Sequence, residues 1–291
     1  MPDRLASETV KFMAANKTKP FLAYLSFYSV HTPLMARKDL TAKYQKRKQE
    51  RGLEAKWGQE HSRRVRLVQE HAVYGGMVEA MDLAVGKVLD GLKNLGLEQN
   101  TVVFFMSDNG GLSTSEGHPT SNLPLRGGKG WMYEGGIREP MMVRWPGVTR
   151  PGSVSDAPVT STDFFPTILE IAGVKPQLPA RIDGVSFTAA LRGKAHDRGP
   201  LFWHYPHYGN QGIAPTGAVR ERDWKLIEWY EDGRLELFSL AKDVGEKKNL
   251  AKEEPERVKA LAAKLAAWRR ETGAKMSVRN ERFDAAKREG R

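Results

Sequence analysis

Two apolar runs separated by one long amphipathic stretch constrain this chain most. FLAYLSFYSV (21–30) and TVVFFM (101–106) are rich in aromatic and β-branched residues, and each reads as a buried strand. Between them, from about Gln69 to Leu95, the residues Val78, Met81, Val85, Val88, Leu92 and Leu95 recur at steps of three and four. That is the spacing of one helical stripe, and Gly96 is its expected stop. Strand, helix, strand is a βαβ unit with a right-handed crossover. Strands that are apolar along their whole length predict a parallel sheet covered on both faces. Ligands of such sheets collect beyond the carboxyl ends of the strands. His31-Thr32-Pro33 follows the first such end and Asp108-Asn109-Gly110-Gly111 the second, so these residues are expected to share one edge.

The remaining elements follow from local signals. Residues 3–16 read as a short helix, and 36–68 as polar, basic helix with an exposed excursion. IREPMMVRW (137–145) reads as a strand closed by Pro146-Gly147, and 163–173 as a helix stopped by Gly173. Polar residues and glycine cluster near 191–198, which divides the chain into residues 1–195 and 196–291. Beyond that point 201–205, 217–231 and 234–240 read as short antiparallel strands, with Asp232-Gly233 as a hairpin turn. Pro255–Gly273 is an amphipathic helix with Val258, Leu261, Leu265 and Trp268 on one face. The last 15 residues are charged and expected to fray.

Composition excludes some chemistry. The chain has no cysteine, so a disulfide, a thiolate zinc site and a cysteine nucleophile are impossible in it. The net charge of +11 suits an anionic partner. The charge is spread along the chain and no helix-turn-helix, zinc-finger or RNA-binding pattern occurs, so no nucleic acid is expected. A solvated basic surface is the plain reading, and an anionic small substrate or polysaccharide is the functional one. No apolar run approaches the roughly 20 residues of a membrane span. The N-terminus MPDRLASETVKF has no apolar signal core, so no export signal is expected within it.

Several residues could carry chemistry. Asp108 and Asn109 offer a carboxylate and an amide carbonyl, oxygens that suit a hard cation; an Asp-Asn-Gly turn is the structural alternative. His31 could act as a general acid or as an anion donor, or be structural. Lys129 sits among glycines, where its ammonium can reach an anion, or it is simply an exposed turn lysine; Arg126 is a weaker case of the same kind. His118, His204 and His207 are candidates for substrate recognition, with packing as the alternative for the last two.

Longer stretches resemble a known family. PFLAYLSFYSVHTPL (20–34), YGGMVEAMDLAVGKVLDGLKNLGLEQNTVVFFMSDNGG (74–111), PLRGGKGWMYEGGIREPMMVRWPG (124–147) and TDFFPTILEIAG (162–173) resemble the arylsulfatase-type sulfatases of the alkaline-phosphatase superfamily. WKLIEWYEDGRLELFSLAKDVGEKKNLA (224–251) resembles their small C-terminal domain. The resemblance implies the C-terminal portion of an α/β/α sandwich with a mainly parallel sheet, plus a small antiparallel sheet with one helix. It implies hydrolysis of sulfate esters of a sulfated carbohydrate or aryl sulfate, with calcium (or magnesium) held in part by Asp108 and Asn109. His31 matches the histidine that binds the sulfate and assists the leaving oxygen, and Lys129 the lysine that grips the sulfate. The family's formylglycine nucleophile arises from a C/S-x-P-x-R segment, and none occurs in this sequence. The early acidic calcium pair is missing as well. The chain is therefore expected to be N-terminally truncated and inactive alone, with open edges on the strands at 21–30 and 101–106. A non-catalytic glycan-binding or half-enzyme protein, and a phosphodiester or phosphonate hydrolase of the superfamily, are the other readings. A periplasmic or extracellular location is expected from the family, and the oligomeric state is open.

Overall fold

The computed structural model describes residues 1–175, 182–278 and 280–283; much of the segment expected to fray lies outside these residues. In chain order the elements are α1 (Pro2–Asn16), α2 (Lys38–Glu50), β1 (Trp57–Glu60), β2 (Arg63–Arg66), α3 (Ala72–Asn94), β3 (Val103–Met106), α4 (Glu134–Ile137), β4 (Met141–Arg144), α5 (Phe164–Ile171), α6 (Thr188–Leu191), β5 (Leu201–Tyr205), β6 (Thr216–Glu221), β7 (Trp224–Trp229), β8 (Leu235–Ser239) and α7 (Pro255–Thr272). The chain folds into two compact units. The first comprises residues 1–56, 68–106 and 140–197, and the second 57–67, 107–139 and 198–291.

In the first unit α1 and α2 both pack on α3. Small residues on α3 permit the approach. Gly91 faces Val10 and Met13, and Gly75 and Gly76 face Tyr44 and Leu40. The buried face of α3 therefore runs through Gly76, Met77, Ala84, Gly91 and Leu92. Of the stripe expected from sequence only Leu92 is buried; Met81, Val85, Val88 and Leu95 are half-buried and Val78 is 39% exposed. The helix ends as expected at Gly96, with φ +70°. The amide of Gly96 donates to the Lys93 carbonyl (3.0 Å) and that of Leu97 to the Leu92 carbonyl (2.9 Å), the two bonds of a Schellman motif. Ahead of α5, Thr160 and Asp163 form a reciprocal capping box. Phe164 packs edge-on against Phe104 of β3 and Phe187, with centroids 5.4 and 5.5 Å apart.

The βαβ expectation is corrected. Residues 21–30 form no strand, and Leu22 and Tyr24 are 70% and 91% exposed. β3 pairs instead with β4, antiparallel, with Val103 opposite Arg144 and Met106 opposite Met141. A strand needs a neighbour's amides and carbonyls. Among the described residues no strand offers them to 21–30, despite its strong β-composition; the Tyr28 carbonyl accepts from the His31 amide (2.9 Å) in a local turn instead.

In the second unit β1 and β2 form a hairpin where the sequence suggested helix. β5, β6, β7 and β8 form an antiparallel sheet in that order. Alternation gives this sheet two apolar faces. On one, Val219, Leu226 and Leu237 pack against Leu261 and Leu265 of α7, with Val258 and Trp268 beside them, as the helical spacing predicted. The Trp268 ring stacks on Phe202 at 5.1 Å. Each fully buried leucine of this kind contributes about 1.5–3 kcal/mol. On the other face Ala218, Ile227, Trp229 and Phe238 pack against Trp131, Met132 and Tyr133. The segment carrying Lys129 thus rests on the sheet face opposite α7. Gly273 closes α7 in the left-handed conformation, and Gly233 (φ +70°) closes the turn after β7.

Candidate functional site

Two glycine-rich loops of the second unit are tied into one framework. The Lys129 amide donates to the Gly111 carbonyl (3.1 Å), and the Gly110 amide to the Gly136 carbonyl (3.2 Å). Gly135 closes its own loop by donating to the Arg126 carbonyl (2.8 Å). A Cβ on Gly110 would run into the carbonyl oxygen of Gly135, so backbone meets backbone where no side chain fits. Asn122 links the loops further. Its Oδ1 accepts from the Gly111 amide (3.0 Å), and its Nδ2 donates to the carbonyls of Gly111 (2.7 Å) and Gly127 (3.0 Å). Asp108-Asn109 and Lys129 therefore hang from a common backbone scaffold. Ser107 Oγ donates to the Asn109 carbonyl (2.9 Å) and fixes the turn itself.

A buried ionic group anchors this scaffold to the sheet. Lys225 of β7 is fully buried, and its Nζ reaches Glu134 Oε1 at 2.9 Å and Glu246 Oε1 at 2.5 Å. Glu246 Oε2 accepts from the Glu134 amide (2.6 Å) at the start of α4. Burial pushes the Glu246 carboxyl up, and the Lys225 charge opposes the shift. Sequence reading missed this triad and Asn122. A usable signal existed for Lys225, which shares a strand face with Ile227 and Trp229, where a lysine must be paired.

The donor set fits a hard cation in part. Glu139 is half-buried, its Oε1 has no hydrogen-bond partner, and its carboxyl is pushed up to about 8 by burial and by the charge of Asp108. Two carboxyls that feel each other's charge, Glu139 and Asp108, make an environment that favours a cation. Calcium takes six to eight oxygens. Among the described residues no group of three or more His, Asp or Glu side chains converges on such a point, so these residues supply only part of a shell.

The other candidates are placed as follows. His31 lies in the first unit, exposed, its Nδ1 2.8 Å from the Thr32 carbonyl; the strand expected to present it does not form. Arg126 is committed to structure. Its guanidinium clamps Glu60 through Nη2 (2.7 Å) and Nε (3.0 Å to Oε2), donates to the Glu246 carbonyl (3.1 Å) and lies 3.8 Å over the Tyr133 ring. His204 uses both ring nitrogens, toward Tyr230 Oη and the Lys275 carbonyl, each at 2.8 Å. His207 is exposed, edge-on to Tyr205. His118 meets Trp57 edge-on at 5.4 Å. Burial, and then the charges of Arg64 and Arg66, hold its pKa below the usual histidine value.

Comparison with known proteins converges on one family. The Sulfatase family model matches residues 1–174, and that of the N-sulphoglucosamine sulphohydrolase C-terminal region matches residues 128–271. A sulfatase of Formosa agariphila is 38% identical over 255 residues, which cover 81% of this chain and 43% of that protein. Human steryl-sulfatase is 35% identical over 227 residues, 76% of this chain and 33% of that protein. The crystal structure of Ps i-CgsB superposes with a TM-score of 0.75 at 29% identity, covering 92% of this chain and 54% of its own. BT4656, solved with its substrate D-glucosamine-2-N,6-O-disulfate, gives a TM-score of 0.59 at 27% identity, covering 69% of this chain and 40% of its own. The chain spans less than half the length of these curated relatives.

Proposed function

The chain belongs to the sulfatase family of the alkaline-phosphatase superfamily, and from that premise we propose that it forms part of a hydrolase acting on the sulfate esters of a sulfated carbohydrate. The observation that carries this reading is the shared backbone scaffold of Asp108-Asn109 and Lys129. It holds a carboxylate, an amide oxygen and an ammonium on rigid glycine turns. A cleaving sulfate ester gathers negative charge on its sulfur-bound oxygens, and fixed positive groups aimed there lower the barrier.

In this reading Lys129 Nζ donates to a sulfate oxygen and orients the ester. Asp108 and Asn109 would hold calcium, and a cation there would draw the raised Glu139 carboxyl toward its charged form. When bound, calcium supplies charge that draws density from the sulfate oxygens. The role of His31, protonating the leaving oxygen, rests on the resemblance of its His-Thr-Pro segment. A carbohydrate rather than a simple aryl substrate suits the +11 charge and the substrate named for BT4656. A periplasmic or extracellular setting, where sulfated glycans occur, belongs to the same proposal.

Titration of a monosulfated monosaccharide into the chain tests this reading. We expect saturable binding that Lys129→Ala weakens about tenfold or more, the cost of a hydrogen bond to a charged group. The 291 residues contain neither cysteine nor a Ser-x-Pro-x-Arg segment from which formylglycine could form. The same mixture is therefore expected to release no free sulfate. Unchanged binding in the variant, or steady sulfate release by the chain alone, contradicts the respective statement.

A further inference from the structure

The hairpin of β1 and β2 carries a face that the scaffold of Lys129 does not use. Its register sets Trp57 opposite Arg66 and Gln59 opposite Arg64, so these four side chains share one face. Gly58, Glu60, Arg63 and Val65 belong to the other. On the first face the Arg64 guanidinium lies 3.7 Å from the centre of the Trp57 ring, and that of Arg66 4.5 Å from it. Arg66 is buried. Its amide donates to the Ser113 carbonyl (3.1 Å) and its Nε to the His118 carbonyl, which ties the hairpin to the 113–118 loop.

That loop is strained where it meets the hairpin. Glu116, Gly117 and His118 have φ of +49°, +86° and +51°, so two non-glycine residues are held in the left-handed region. The result brings the His118 ring edge-on to Trp57. Arg64 is exposed and makes no ion pair with a carboxylate among the described residues. The nearby acids are engaged elsewhere: Glu60 with Arg126 on the other hairpin face, and Glu116 with Asn210 at 2.7 Å. A guanidinium held 3.7 Å over an indole keeps N–H groups that can donate in pairs to an oxyanion. Burial first, and then the charges of Arg64, Arg66 and Arg63, hold the His118 pKa down, so this ring sits in the field of three guanidinium groups.

We infer that Arg64, held by Trp57 and flanked by His118, forms an accessory subsite for a second anionic group on an extended sulfated glycan. This rests on the sulfatase reading for the class of ligand, but its site and its test are separate. The subsite recognises an oxyanion carried by a neighbouring sugar residue, either a sulfate ester or a uronate carboxylate. It adds affinity for a chain over a single sugar without touching the ester that is cleaved.

The experiment compares the wild-type chain with Arg64→Ala, Arg64→Lys and Trp57→Ala, after thermal melts have confirmed that each is folded. The probes are a sulfated hexasaccharide, the same hexasaccharide desulfated but with its uronates intact, a monosulfated monosaccharide and a single-stranded oligonucleotide. We expect Arg64→Ala to weaken hexasaccharide binding about tenfold and to lower its salt dependence by about one counterion. Arg64→Lys, lacking the fork, is expected to restore only part of the loss, and the monosaccharide affinity is expected to stay unchanged. An Arg64→Ala effect that persists on the desulfated probe assigns the anion to a uronate, and an effect confined to the sulfated probe assigns it to a sulfate ester. Equal hexasaccharide affinity in wild type and Arg64→Ala overturns the inference. So does a parallel loss of monosaccharide binding, or oligonucleotide binding as tight as that of the hexasaccharide. A wild-type chain that binds no monosulfated sugar but shows the Arg64 effect on the hexasaccharide would remove the Lys129 site and leave this one.

Discussion

His61 stands at φ +51° with its ring 4.7 Å from that of Trp229 and 5.2 Å from that of Trp131. Its Nε2 lies 2.9 Å from Tyr133 Oη, which donates its only proton to Glu236 Oε2 at 2.7 Å. The neutral ring must then carry its proton on Nε2 and donate to the tyrosine. Burial lowers the His61 pKa, and it outweighs the opposing charges of Glu60 and Glu236; Arg126 and Arg234 lower it further. A histidine lowered in the fold costs nothing at high pH and loses stability as the pH falls through its unfolded value of about 6.5. The melting temperature should therefore drop less between about pH 7 and pH 5 in His61→Asn, whose side chain also tolerates the left-handed backbone. Identical pH slopes would contradict this. The Lys225 triad gives a larger effect. Lys225→Met leaves Glu246 buried without its counter-charge and Glu134 with only the longer contacts to Arg138 (3.6 Å) and Arg220 (3.9 Å), a loss of about 3–5 kcal/mol. A shift in the denaturant midpoint worth under about 1 kcal/mol would mean that the glutamates find other partners.

At the scale of elements, legibility in the sequence tracked whether a segment's partner lies close by in the sequence. α7 was readable because Pro255, Gly273 and an apolar stripe mark its ends and its face, and the sheet it covers precedes it directly. The hairpin after β7 was readable from Asp232-Gly233 alone. The β1–β2 hairpin was not, because WGQE and RRVR carry charge on both faces and its support comes from the distant 113–118 loop. The segment 21–30 shows the converse. Its composition specifies a strand, but a strand is completed by another edge, and none lies against it among the described residues. Exposed apolar, strand-prone segments recruit other chains. Replacing Leu22 and Tyr24 with lysine should raise the concentration at which the chain stays monomeric, read by light scattering, with the melting temperature unchanged. A drop in melting temperature would show that these side chains already pack.

For the whole molecule, motif and topology conveyed different information. The Asp108-Asn109 and Lys129 segments were singled out by residue type and by resemblance, and the structure joins them through backbone bonds that no residue pattern announces, with Asn122 as the link. The shared sheet edge expected for His31 and Asp108 depended on a parallel pairing that the described residues do not form. Family membership and an alkaline-phosphatase-like fold hold nonetheless, since the chain superposes on sulfatase structures over most of its length. The central claim is that Asp108, Asn109 and Lys129 form one cation-assisted sulfate site. Titrating a monosulfated sugar into the chain, once with calcium and once with a chelator, tests it most directly. The account predicts saturable binding with calcium, at least about tenfold weaker binding in the chelator, and no calcium effect in Asp108→Ala. Equal affinity with and without calcium would contradict it.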